Sequence, residues 1–350
     1  MPISLDNPYR GTGLAPDALM PIAEASGVAD LLALCPAHEE TPLHDAPDLA
    51  ALAGVAEIRI KDERGRMGLG SFKALGAVHA IAREATQRVG RAPEALRRAL
   101  EGETFVAASA GNHGLSVAAG ARLFGARAVI YLAETVPAAF AQRLEAHGAQ
   151  VVRAGADYEA SMEAAMTAAE AHGWTLLSDS SWPGYTDLPL RVMEGYTQLM
   201  AEAVARFDTP PTDIVVQAGV GGIAAAVAAH ARLVWGDGPR ITVVEPDAAP
   251  ALIESIRSGE VITAGGPVSC MGRLDCKTPS MIALAGLSRD ADRFTTITED
   301  EAQAGVAILA KHGLGTTPSG GAGLAAVLAG LDLGPQARVL AILSEGPEDG

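Results

Sequence analysis

The sequence predicts an α/β protein of two domains, with parallel, twisted sheets flanked by helices. Three observations carry this reading. Short apolar runs such as "TFVAAS", "ARAVIYLA" and "DIVVQAG" alternate with stretches of helical period, which is the pattern of βαβ units. A length of 350 residues suits one large or two ordinary domains. Hydrophobic residues make up 49% of the chain but aromatics only 4%, so Ala and Gly supply much of the apolar share, as suits helices packed closely on a sheet.

The elements follow in order. Residues 1–55 read as irregular, with turn signals in "DNPYRGTG" and "CPAHEETPLHDAP". "AEIRIKDE" is a strand, and Lys73 lies on the helix that continues into "AVHAIAREATQRV". "TFVAAS" is a strand and "GNHGLSVAAGARLFG" a helix stopped by Gly125. Strand, helix, strand, helix and strand then follow in "ARAVIYLA", "PAAFAQRLEAHG", "AQVVRAG", "YEASMEAAMTAAEAHG" and "WTLLSD". A second series begins with the helix "RVMEGYTQLMAEAVARF" and the strand "DIVVQAG". It continues with the helix "GIAAAVAAHARLV", the strand "RITVVEP" and the helix "APALIESIRSG". It closes with "DEAQAGVAILAKHG", "SGGAGLAAVLAGL" and the strand "RVLAILSEG". Two such series side by side predict a cleft at the carboxyl ends of the strands. The smaller domain is placed at residues 76–176, inserted in a larger one of residues 1–75 and 177–350.

A net charge of −16 argues against nucleic acid or an anionic membrane as partner. The chain has no apolar run long enough to span a bilayer and no basic-then-apolar start. Cys35, Cys270 and Cys276 are too few for a disulfide framework, and no histidine or cysteine spacing reads as a metal site. A cytoplasmic protein with no metal, acting on a small molecule, is expected.

Four motifs carry chemistry. In "GLGSFKALGAVHAI", Lys73 stands alone among small apolar residues. It is either an amine that snorkels to water or a desolvated one able to attack a carbonyl. "AGVGGIA" links a strand to a helix, so Gly219, Val220, Gly221 and Gly222 form either a phosphate cradle at a helix N-terminus or a structural turn. Glu245, at the end of the next strand, completes a dinucleotide-like fingerprint and keeps an NAD(P) oxidoreductase open. "SAGNHG" offers Ser109, Ala110, Gly111, Asn112 and His113 at another helix start, suited to a substrate carboxylate or to a cap, with His113 read as structural. Asp179 in "SDSSWPGY" is an acid/base group or a turn cap, and Ser344 in "LSEG" a neutral hydrogen-bonding group or a turn serine.

Taken in order, "SFK", "SAGNHG", "AGVGG" and the terminal serine loop resemble fold type II, the tryptophan synthase β-family of pyridoxal phosphate enzymes. The flanking stretches "ETPLHDAPDLAALAGVAEIRIKDERGRMGLGSFKALGA", "SDSSWPGYTDLPLRVMEGY" and "VEPDAAPAL" look like the diaminopropionate ammonia-lyases. The resemblance covers residues 37–346. It implies that Lys73 holds pyridoxal 5'-phosphate as a Schiff base and acts as base at the substrate Cα. It further implies that residues 219–222 hold the phosphate, that Asn112 meets the ring hydroxyl, and that Ser344 lies near the pyridine nitrogen. Small neighbours around Lys73 would leave room for the ring. The implied activity is β-elimination from a small amino acid in catabolism, 2,3-diaminopropionate first, by a homodimer.

Two departures leave the class firmer than the substrate, with a serine, threonine or 3-hydroxyaspartate dehydratase as the alternative. Ala110 stands where the ammonia-lyase pattern "DGNHG" has an aspartate that serves the D-isomer, so L-preference is expected. "TTPSGGAG" lacks the glutamate of the dehydratases' "EPSGA". No regulatory domain is expected after Ser344. A non-catalytic binding protein is a remote option, against which the lysine counts.

Overall fold

The computed structural model describes residues 3–15 and 17–347. The chain opens with β1 (Ile3–Asp6), α1 (Val28–Leu32), β2 (Leu43–Asp45), α2 (Pro47–Ala53) and β3 (Glu57–Asp62). The stretch that the sequence reading leaves irregular therefore holds two strands and two helices. Next come α3 (Lys73–Val89), α4 (Pro93–Leu96), β4 (Thr104–Ala108), α5 (Asn112–Leu123), β5 (Arg127–Leu132), α6 (Ala138–Ala146), β6 (Gln150–Arg153), α7 (Tyr158–His172) and β7 (Thr175–Leu176). The second series is α8 (Asp187–Val204), β8 (Asp213–Gln217), α9 (Gly222–Trp235), β9 (Arg240–Pro246), α10 (Ala251–Ser258), α11 (Met281–Asp290), β10 (Arg293–Ile297), α12 (Glu299–Lys311), α13 (Ala322–Leu328) and β11 (Arg338–Leu343). Of these, α11 and β10 have no counterpart in the sequence reading.

Two sheets result. The larger has the order β1-β10-β9-β8-β11-β3-β2 and the smaller β6-β5-β4-β7. The small sheet is parallel throughout. The large one is parallel across its five central strands and closed at each edge by an antiparallel strand, β1 on β10 and β2 on β3.

Side-chain alternation in β8 shows how the large sheet is buried on both faces. Ile214 and Val216 enter one hydrophobic cluster, which also holds Ile81, Leu115 and Val192. Val215 enters a second cluster with Ile58, Leu324 and Leu343. All five residues of β8 are buried, as a central parallel strand requires.

The small residues after Lys73 have a packing role. A Cβ on Gly76 would lie 2.5 Å from the Tyr196 ring, and one on Gly195 2.6 Å from the Leu75 carbonyl oxygen. They let α3 and α8 touch along their backbones. For Gly76, then, the small residue serves helix packing and not room for a flat ring.

Local signals set several ends. Asp157 caps α7 by accepting from the Ala160 amide, and Thr298 with Glu301 forms a capping box on α12. No helix among the described residues is long and apolar enough to cross a membrane.

Candidate active site

The sequence-predicted residues converge at the carboxyl ends of parallel strands, where open α/β sheets place ligands. Residues 219–222 follow β8, residues 109–113 follow β4, Asp179 follows β7, and Ser344 follows β11. Lys73 begins α3 after a tight turn in which Met67, Gly68 and Gly70 all have positive φ, at 51°, 69° and 81°. The last loop zips onto this turn. The Phe72 amide donates to the Ser344 carbonyl at 3.1 Å and the Gly346 amide to the Gly70 carbonyl at 3.0 Å.

The Lys73 ammonium donates to the Asp179 carboxylate. Their side chains are 22% and 19% exposed, so the pair faces an opening. The Lys73 nitrogen lies 5.3 Å from the centre of the Phe72 ring and 5.8 Å from that of Tyr196. Burial pulls the lysine down, but Asp179 outweighs it and holds Lys73 well above its ordinary value. Burial likewise pushes Asp179 up, and the ammonium more than reverses it, holding the carboxyl far below the usual range. The expectation of a neutral amine is thus corrected for the chain alone: the opposite charge wins over desolvation.

The glycine loop has the features of an anion cradle. Among the described residues the amides of Gly219, Gly221 and Gly222 donate no hydrogen bond to another loop, that of Val220 is turned to the Cys276 sulfur, and all four stand at the N-terminus of α9. Gly221 has φ 98°, and a Cβ there would sit 3.0 Å from Ala283 Cβ. A Cβ on Gly222 would lie 3.5 Å from the Tyr196 ring and 4.0 Å from the Asp179 carbonyl oxygen. Cradle and lysine therefore share Tyr196 and Asp179 as neighbours.

In the third loop, the Gly111 amide donates to Ser109 Oγ at 3.3 Å. His113 Nε2 donates to the Leu177 carbonyl at 2.8 Å, and burial lowers its pKa. A neutral histidine tied to the backbone is the structural residue expected. Asn112 donates instead to Glu345, a buried carboxylate that also accepts from Thr317 Oγ1 and lies 3.0 Å from Arg273 Nε. Ser344 Oγ accepts from Gln217 Nε2 at 3.0 Å.

Sequence reasoning missed Glu345, Arg273 and Gln217. Only Glu345 left a signal, an acid two residues after the end of the last strand. Cys276 was also missed as a site neighbour. Its sulfur would lie 3.0 Å from a Cβ on Gly219, and burial pushes its thiol up to about 12.

Glu245 does not face the cleft. It accepts from the Leu252 and Ile253 amides at 2.7 and 2.8 Å, capping α10, and burial pushes it up to about 8. The acid that kept a dinucleotide reading open is thereby occupied with structure.

The site fits a phosphate-bearing aldehyde cofactor. It has an open amide cradle, a lysine beside it, and Ser71 Oγ buried two residues before that lysine with no hydrogen-bond partner among the described residues.

Comparisons with known proteins agree. The chain is 32% identical over 320 residues to diaminopropionate ammonia-lyase of Escherichia coli (strain K12), covering 87% of this chain and 80% of that one. It is 29% identical over 298 residues to L-serine dehydratase/L-threonine deaminase of Homo sapiens, covering 83% of each. The crystal structure of diaminopropionate ammonia lyase from Escherichia coli in complex with D-serine superposes with a TM-score of 0.89 at 29% identity, over 100% of this chain and 95% of that one. Residues 34–345 match the family described as pyridoxal-phosphate dependent enzyme. The chain belongs to that family, and its cofactor is pyridoxal phosphate.

Proposed function

We propose that this enzyme is an ammonia-lyase that eliminates the Cβ amine of 2,3-diaminopropionate, leaving a 2-oxo acid and ammonia. The observation that carries the reading is the Lys73–Asp179 pair set against the glycine cradle. The likeness to the Escherichia coli protein named diaminopropionate ammonia-lyase, in sequence and in structure, supports the substrate.

Pyridoxal phosphate, when bound, supplies a carbonyl for an amine to condense with and an electron sink for bond breaking at Cα. Residues 219–222 would hold its phosphate through their amides and the α9 dipole. Asn112 and Ser344, on the loops that face Lys73, would meet its ring.

The remaining steps belong to the chain. Lys73 as a free amine takes the substrate Cα proton. Asp179 stabilises the resulting ammonium, which is poised to hand its proton to the departing Cβ amine. Residues 109–113 seat the substrate carboxylate with their amides. Ala110 has no ionisable group to act as a base on the opposite face, so the L-isomer is preferred.

The domain division at residues 76–176 accords with a small sheet built wholly from residues 104–176. Three free cysteines accord with a reducing, cytoplasmic setting.

Ala110 is also the observation that favours a second reading, elimination of water from a hydroxy amino acid. Ammonia and 2-oxo acid measured together separate the two. L-Diaminopropionate yields two ammonia per 2-oxo acid and L-serine yields one. Turnover of serine or threonine alone would replace the first reading with the second.

A further inference from the structure

Residues 269–280 cross the glycine cradle as a strap. The Ser280 amide donates to the Val220 carbonyl, and the Arg273 carbonyl oxygen would lie 3.1 Å from a Cβ on Gly219. The Arg273 amide is fixed on Ser319 Oγ at 3.1 Å. Its backbone is therefore pinned between two loops of the site, and its side chain reaches a third. Arg273 Nε lies 3.8 Å from where a Gly111 Cβ would stand, directly over the loop of residues 109–113. The Arg273 side chain is 23% exposed, whereas that of Glu345 is 6% exposed.

Glu345 does not depend on Arg273 alone. Asn112 Nδ2 and Thr317 Oγ1 both donate to it. If the guanidinium turns toward another carboxylate, Glu345 keeps two donors and is not stranded as a buried, unpaired charge. The local charge points the same way. Ala110 stands where the resemblance expects an aspartate, and an arginine hangs over the neighbouring residue. A loop expected to be acidic is thus neutral and faces a cation.

We propose that Arg273 binds the α-carboxylate of the substrate, exchanging Glu345 for it, and so determines the enzyme's demand for a free carboxylate. This rests on the reading that residues 109–113 seat that carboxylate. Backbone amides alone contribute oriented dipoles. A guanidinium adds full charge and a two-pronged geometry that a carboxylate matches and a carboxamide does not. The interaction is made equally in the ground and transition states, so it belongs in KM rather than in kcat.

The test compares an acid with its amide in the holoenzyme. Wild type, Arg273→Gln and Arg273→Lys are assayed with L-diaminopropionate and with its α-carboxamide. The expected result is a KM for the acid raised about a hundredfold in Arg273→Gln, with kcat within a fewfold, a KM for the amide that hardly moves, and partial recovery of the acid in Arg273→Lys. Equal changes for acid and amide, or an unchanged KM for the acid, would overturn the proposal and leave Arg273 a structural tie between loops.

A second readout is independent of turnover: calorimetric titration of each holoenzyme with L-alanine and with L-alaninamide. Wild type should bind the acid more tightly, and Arg273→Gln should lose that difference. If no substrate is turned over but this difference appears and vanishes as stated, the functional reading fails and the arginine assignment stands. If both ligands bind alike in wild type, the assignment fails.

Discussion

Two lysines of this chain are removed from bulk water, and only one of them is set up to react. Lys61 is the more buried, at 1% side-chain exposure against 22% for Lys73. It donates to the Thr41 carbonyl at 2.6 Å and to Glu202 at 2.5 Å. Beside it Arg66 donates to Glu63 at 2.7 Å, to Glu202 at 2.7 and 2.9 Å, and to the Glu39 carbonyl at 2.7 Å, while Gln198 donates to Glu202 at 3.1 Å. That cluster ties β3, α8 and the segment before β2 into one block, with its charges matched and its donors engaged. Lys73 has one carboxylate, two aromatic rings and an opening onto an amide cradle. Burial does not mark the reactive amine; sparse partnering beside an open anion site does.

The comparison can be broken in four ways. The largest effect is expected from Lys73→Ala, which should lower turnover by about ten-thousandfold or more because base and covalent roles fall together. The violet absorbance of the bound cofactor should go with it, while the apo-protein still folds cooperatively and its unfolding free energy falls only by about the 2 kcal/mol that loss of the Asp179 partner implies. A variant that keeps the band after dialysis would return Lys73 to the class of Lys61.

Arg66→Ala should do the reverse. It leaves Glu63 and Glu202 buried with too few donors, and urea unfolding should reveal a loss of about 3–5 kcal/mol. Turnover per folded molecule should stay near wild type at a temperature where the variant is folded. A selective loss of kcat would mean that the cluster belongs to the chemistry.

Gly221→Asp should weaken cofactor binding about a hundredfold, since a carboxylate enters an anion site at a backbone conformation that side chains rarely adopt. Titration of apo-protein with pyridoxal phosphate measures it, and unchanged affinity would take the phosphate away from residues 219–222.

The smallest effect concerns pH. The Asp179 carboxyl is held below its ordinary value, so the pair's contribution to stability is present above about pH 4 and is lost as the pH falls further. Lys73 is raised, so on the alkaline side the contribution is present below about pH 10 and is lost as the pH rises through the folded value. Unfolding of apo-protein at pH 7 should separate wild type from Asp179→Asn by on the order of 2 kcal/mol, a gap that shrinks in acid. A gap independent of pH would mean that the pair contributes through shape rather than charge.

Periodic, local features were legible in the sequence. The βα alternation follows from runs of a few residues each, and such runs made the glycine loop, Lys73 and Asp179 candidates whose roles the family resemblance then implied. Partnerships across the chain were not. The strand "ISLD" is short, and its pairing partner begins near residue 293, so nothing nearby in sequence marks it as an edge strand. The strand "RFTTI" was hidden in the same way. Gly76 was read for the cofactor although its neighbour is Tyr196 of α8, over a hundred residues on. Arg273 sits in a loop without period, and its meaning comes from its nearness to Gly111 and Glu345, far away in the sequence.

The place of β11 in the large sheet has a consequence for biosynthesis. It lies between β8 and β3, with Val339 opposite Ile58 on one side and Asp213 on the other. Strands β1, β10, β9 and β8 form one block and β2 with β3 another, and β11 alone joins them. The small sheet, by contrast, closes within residues 104–176. On the ribosome the small sheet can therefore assemble early, while the two blocks of the large one wait with exposed edges until residue 343 emerges, the interval in which a chaperone has most to shield. Ser344 and Glu345 arrive in the same instant, so the nascent chain gains its last site residues only as its sheet is completed.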